Sequence, residues 1–82
     1  MFNRANNYFI VTTNNLKALE AVSECIYSGL KERYLIQIEQ FPNNLTIYHI
    51  YIPIREDQDK KVKKKIMDYL ELKHTKLLEE EP

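Results

Sequence analysis

The sequence predicts a small α+β domain of order β-α-β-β-α, and three observations carry that prediction. Short β-branched and aromatic runs alternate with longer stretches of helical periodicity. The turn cluster Pro42-Asn43-Asn44 separates two of those runs. The chain of 82 residues, 44% apolar, is long enough for one core and no more.

The first run, Tyr8-Phe9-Ile10-Val11-Thr12-Thr13, reads as a strand bounded by Asn14-Asn15. Thr13, Asn14 or Asn15 can cap the helix that follows, because each side chain accepts from the unpaired amides of a first turn. That helix is expected over residues 16–33. Leu16, Leu19, Val22, Ile26 and Leu30 form its apolar stripe, with Lys17, Glu20, Glu24, Lys31 and Glu32 opposite. Gly29 marks either close packing or an early end.

Residues 34–41 and 45–54 form a β-hairpin in this reading. A three-residue loop sets Ile36 opposite Ile50, Ile38 opposite Tyr48 and Tyr34 opposite Ile52, which keeps one face apolar; a two-residue loop would pair Ile38 with His49. Pro53 lacks an amide donor, so the strand should stop pairing, or lie at an edge, by that point. Acids at Glu56, Asp57 and Asp59 then suit a helix start, and a second helix is expected from Asp57 to the high seventies on the stripe Val62, Ile66, Tyr69, Leu70 and Leu77. Residues 1–7 and 79–82 are expected to fray around a single domain spanning 1–82.

A strand-helix-strand crossover followed by a hairpin gives a three-stranded mixed sheet, order 1-3-2, with both helices on one face. By analogy of fold alone this is a truncated ferredoxin-like arrangement that lacks a last strand, and such folds host many functions. Two consequences follow. The edge at Tyr8 to Thr13 should be open, with no Lys, Glu or Pro to discourage pairing. The face away from the helices should display Tyr8, Ile10, Leu35, Ile47, His49 and Tyr51, together with Gln37, Glu39 and Phe41, and is too apolar to be left wet without a reason.

Twelve Lys and Arg balance twelve Asp and Glu, so no global field draws in nucleic acid or anionic lipid. A local one exists: Lys60, Lys61, Lys63, Lys64 and Lys65, with Lys73 and Lys76, face only Asp68 and Glu71. A solvated helix face accounts for them, and contact with a phosphate backbone is the competing reading, with Tyr8, His49 and Tyr51 stacking on bases. No Lys or Arg stands on the predicted strands to support it.

His49 and His74 have no ligand spacing, so no metal is expected. Cys25 is alone, which excludes an internal disulfide, and reads as a small buried hydrophobe in a reducing compartment, the cytosol. No nucleophile, base and orienting group can be assembled, and with one glycine there is no phosphate-cradling loop, so neither enzyme nor cofactor is expected. No apolar run is long enough for a signal peptide or a membrane span. The reading that remains is a protein-interaction module, regulatory or inhibitory, that binds a partner or a second copy, as in a homodimer. Its Asn-rich composition suits a phage or plasmid accessory protein.

Overall fold

The computed structural model describes residues 1–78, which form an α+β domain with a four-stranded antiparallel sheet and two helices on one face. The strands are β1 (Phe2–Ala5), β2 (Tyr8–Thr13), β3 (Leu35–Gln40) and β4 (Thr46–Ile52), in spatial order β1-β2-β4-β3. The helices are α1 (Leu16–Glu24) and α2 (Asp59–Leu72).

The order of the three expected strands holds, and the fourth corrects the prediction. Residues expected to fray form β1, paired with β2 from Phe2↔Val11 to Ala5↔Tyr8 through a two-residue turn at Asn6-Asn7. Asn6 adopts φ 54°, a left-handed conformation that asparagine tolerates better than most residues. The edge of β2 expected to be open is therefore closed, and the sheet is antiparallel at every pairing, not mixed. Little in Phe2-Asn3-Arg4-Ala5 favours a strand locally; tertiary contacts hold it. Phe2 stacks on Phe9 with centroids 5.7 Å apart, and the Lys63 ammonium lies over the Phe2 ring. The Arg4 Nε donates to Asp59 at 2.6 Å, its Nη2 to the same carboxylate and to the Ile54 carbonyl at 2.8 Å. That two-pronged pairing raises the guanidinium pKa.

Arg4→Ala should release β1 without unfolding the domain. The Thr12 amide, which donates to the Met1 carbonyl at 2.8 Å, and its neighbour in register Ile10 should then exchange with solvent about tenfold faster or more. Unchanged exchange at both amides would show that the pair does not hold the strand.

Asn15 caps α1 at φ −110°, ψ 118°, its side chain accepting from the Lys17 amide at 2.9 Å. The regular helix stops at Glu24, short of the expected end, and a wider π-helical turn over Cys25–Leu30 ends at Lys31 with φ 55°. Leu19, Val22 and Ile26 are buried as the stripe requires, joined by Ala18, Ala21 and Cys25, whereas Leu16 is exposed. Gly29 makes no close contact: a β-carbon there would meet only the Cys25 Sγ at 4.0 Å.

The hairpin has the expected register, with Ile36↔Ile50 and Ile38↔Tyr48. Asn44 supplies the positive φ of its loop, at 65°. The β4 ladder ends at Ile52, and the Ile54 amide turns back to the Ile52 carbonyl across Pro53.

A short 3-10 turn at Glu56–Gln58 leads into α2, which ends at Leu72 rather than in the high seventies. His74 takes φ 53°, the Thr75 amide returns to the Leu70 carbonyl, and residues 73–78 fold back as a strap. Thr13 donates its hydroxyl to the Leu77 carbonyl, and the Asn15 Nδ2 donates to the Lys76 carbonyl at 3.1 Å. Leu77 thus reaches the core, as its spacing suggested, but from the strap and not from a helix. The acidic end, Glu79-Glu80-Glu81, expected to fray, lies outside the described residues.

The core joins Phe9, Val11, Ile50 and Ile52 of the sheet to the buried faces of both helices. It contains no residue of β3.

Candidate interaction surface

Side chains alternate across a strand, so the helix face takes Phe9 and Val11 from β2 and Ile50 and Ile52 from β4, and the opposite face takes what lies between. That opposite face carries all six residues expected there. Ile10 stands across from Tyr51, which stands across from Leu35. His49 faces Thr12 on one side and Gln37 on the other, and Ile47 faces Glu39. No described element covers this face.

Within it the polar groups satisfy one another. The Thr12 hydroxyl lies 3.1 Å from the His49 Nδ1, and the His49 Nε2 contacts the Glu39 carboxylate. Tyr51 donates its hydroxyl to the Gln37 Oε1 at 2.9 Å and meets Tyr8 edge-to-face, centroids 5.8 Å apart. These cross-strand links hold the side chains in fixed positions, which lowers the entropy lost when a partner docks. Exposure is uneven across the six: Ile10 is 9% exposed and Leu35 63%, with the others between.

The larger exposed apolar area is one that the periodicity assigned to the sheltered side. Ile36 and Ile38 point toward the helix layer, yet they are 41% and 58% exposed, and every residue of β3 is exposed. The helices lie over β2 and β4, and β3 protrudes past them. Phe41 and Leu45 extend the exposed apolar area around the hairpin end. Alternation could not reveal this, because it tells which face a residue takes and not how far the neighbouring layer reaches. A clue was present in Gln37, Glu39 and Gln40, which make β3 more polar than its partner strand.

The five lysines Lys60, Lys61, Lys63, Lys64 and Lys65 are exposed along α2, on the side of the sheet opposite Tyr8, His49 and Tyr51. Lys64 pairs with Asp68 at 3.1 Å, and Lys63 is engaged with Phe2. A nucleic acid stacked on the sheet aromatics would therefore not lie along the lysines. Beside α2, Phe2, Met67, Leu70 and Leu77 line an open groove of about 910 Å³ with Lys60 and Lys76 among its walls.

Cys25 is buried, 3.9 Å from the Lys65 carbonyl, and burial pushes its thiol pKa up, with Lys65 opposing the rise. A thiol held protonated is a poor nucleophile. Among the described residues no three His, Cys, Asp or Glu side chains come together as metal ligands, and no helix is long and apolar enough to cross a membrane. No protein-family model, curated protein or solved structure matches the chain.

Proposed function

We propose that the protein is a small non-enzymatic interaction module, regulatory or inhibitory in effect, that works by burying its sheet surface against a partner. One observation carries this reading: two helices shelter β2 and β4 only, so the whole of β3 stays exposed with Leu35, Ile36 and Ile38 upon it, beside a far face on which Ile47, His49 and Tyr51 are half-buried. Contiguous apolar surface of more than a few hundred Å² on a small domain marks a site of contact. The binding edge is β3 rather than β2, which β1 occupies.

A second reading, contact with a phosphate backbone, draws on the shared exposure of Lys60, Lys61, Lys63, Lys64 and Lys65 on one helix. Two double variants separate the readings in an affinity capture from host lysate. Leu35→Lys with Ile47→Lys should cut the retained protein by about tenfold or more, because each places a charge in an apolar contact. Lys61→Glu with Lys65→Glu should leave it unchanged. Equal retention by the sheet variant would defeat the first reading, and oligonucleotide binding that weakens steeply with salt and is lost in the lysine variant would establish the second.

A further inference from the structure

We propose that the β3 edge pairs with β3 of a second copy, antiparallel, with Gln37 on the two-fold axis. This rests on the reading of the sheet as an interaction surface and names its occupant.

The edge has its main-chain groups free to pair. The Phe41 amide donates to the Leu45 carbonyl at 2.9 Å, so odd-numbered residues of β3 bond to β4. Alternation then directs the N–H and C=O of Ile36, Ile38 and Gln40 outward, away from the sheet. The opposite edge of the sheet differs. β1 is only four residues long, and the Asn3 Oδ1 accepts from the Arg4 amide at 2.8 Å, which occupies a donor that would otherwise face an incoming strand. β3 is six residues long and carries no Lys, Arg or Pro, the residues by which proteins discourage edge pairing.

The side chains select a copy of the same strand. Outward-bonding residues must oppose outward-bonding residues, which leaves two registers that pair five residues of β3. With Gln37 on the axis, Ile36 faces Ile38 of the second copy twice over, Gln37 faces Gln37, and Leu35 faces Glu39. With Ile38 on the axis, each Ile36 would face Gln40 instead. The first register gathers four isoleucines in the channel between the two helix layers, covering the side chains that stand 41% and 58% exposed in one copy. It also keeps like charges apart: Glu39, the one charged residue of the strand, is already engaged by His49, and its two copies lie about 14 Å apart along the ladder. An edge that is otherwise uncharged offers a foreign strand no opposite charge to pair with, whereas its isoleucines match their own symmetry mates.

The product is a continuous eight-stranded sheet with both helix layers on one side. It buries less than the roughly 800 Å² per partner of a standard interface, so association in the micromolar range is expected.

Two measurements test the proposal. In sedimentation at about 200 µM, a concentration well above a micromolar dissociation constant, the protein should be a dimer. Ile38→Lys and Ile38→Pro should each weaken association by about tenfold or more while the thermal melt of the dilute protein stays in place; the proline removes an outward amide and leaves the bonds from Gln37 and Glu39 to β4 intact. In the second, Gln37→Cys should oxidise to a disulfide-linked dimer, because a non-hydrogen-bonded pair on the axis brings the α-carbons to about 4.5 Å. Glu39→Cys, facing Leu35 of the other copy, should not. A wild-type monomer at 200 µM, or cross-linking no faster at Gln37 than at Glu39, overturns the second copy as occupant. If, in that case, Ile38→Lys still abolishes lysate capture, the edge takes a foreign strand and the wider reading stands; if capture survives both Ile38→Lys and the Leu35/Ile47 variant, the wider reading falls too.

Discussion

Ile50→Ala should leave most of the protein unfolded at room temperature. Ile50 is fully buried at the centre of the sheet, opposite Val11 on one side and Ile36 on the other. Truncating a buried isoleucine costs about 2 to 5 kcal/mol, from lost transfer energy and from the cavity left behind. A domain of this size has only about 3 to 5 kcal/mol of net stability, so the loss is comparable to the whole. Ile38→Ala, on the same face of the sheet but 58% exposed, should cost less than about 1 kcal/mol in the monomer. Urea denaturation followed by circular dichroism compares the two. Similar midpoints would mean that the helix layer extends over β3 after all.

Asn15→Ala should be the most damaging polar substitution, at about 2 kcal/mol, because it removes both side-chain bonds of one buried residue. Its Oδ1 caps α1 through the Lys17 amide, its Nδ2 holds the Lys76 carbonyl, and its own amide donates to the Thr13 hydroxyl at 3.1 Å. The amide survives the substitution, whereas cap and strap contact do not. Asn15→Asp retains an oxygen for the cap and removes the donor to Lys76, so it should lose roughly half as much. Denaturation midpoints order the three proteins. If aspartate proves as costly as alanine, the cap contributes little and the strap carries the effect.

Much of the fold was legible because two signals agreed locally. The turn residues Pro42-Asn43-Asn44 and the alternation on either side specify the same register, and Ile36 meets Ile50 as a result. Asn15 was one of three candidate caps, and the structure selects it. What could not be read depended on distant partners. β1 owes its place to Arg4 meeting Asp59, 55 residues away, and nothing in its four residues announces that. The end of α2 depends on a left-handed His74, where a glycine would have given warning. Leu77 keeps helical spacing with Leu70 while belonging to no helix. The candidate site divides the same way. Alternation alone put Tyr8, Ile10, Leu35, Ile47, His49 and Tyr51 on one face, but which strand forms the free edge turned on β1, and the exposure of Ile36 and Ile38 turned on how far two helices reach.

The spatial order β1-β2-β4-β3 also sets how the chain can reach this structure. Two of its three pairings are hairpins closed by a few residues, which form in about 1 to 10 µs. The central seam between β2 and β4 joins partners such as Val11 and Ile50, 39 residues apart, and must wait until the whole intervening crossover has been ordered. That seam is therefore the pairing with the largest loop to close, and it is the one that brings the apolar faces of β2 and β4 together beneath the helices.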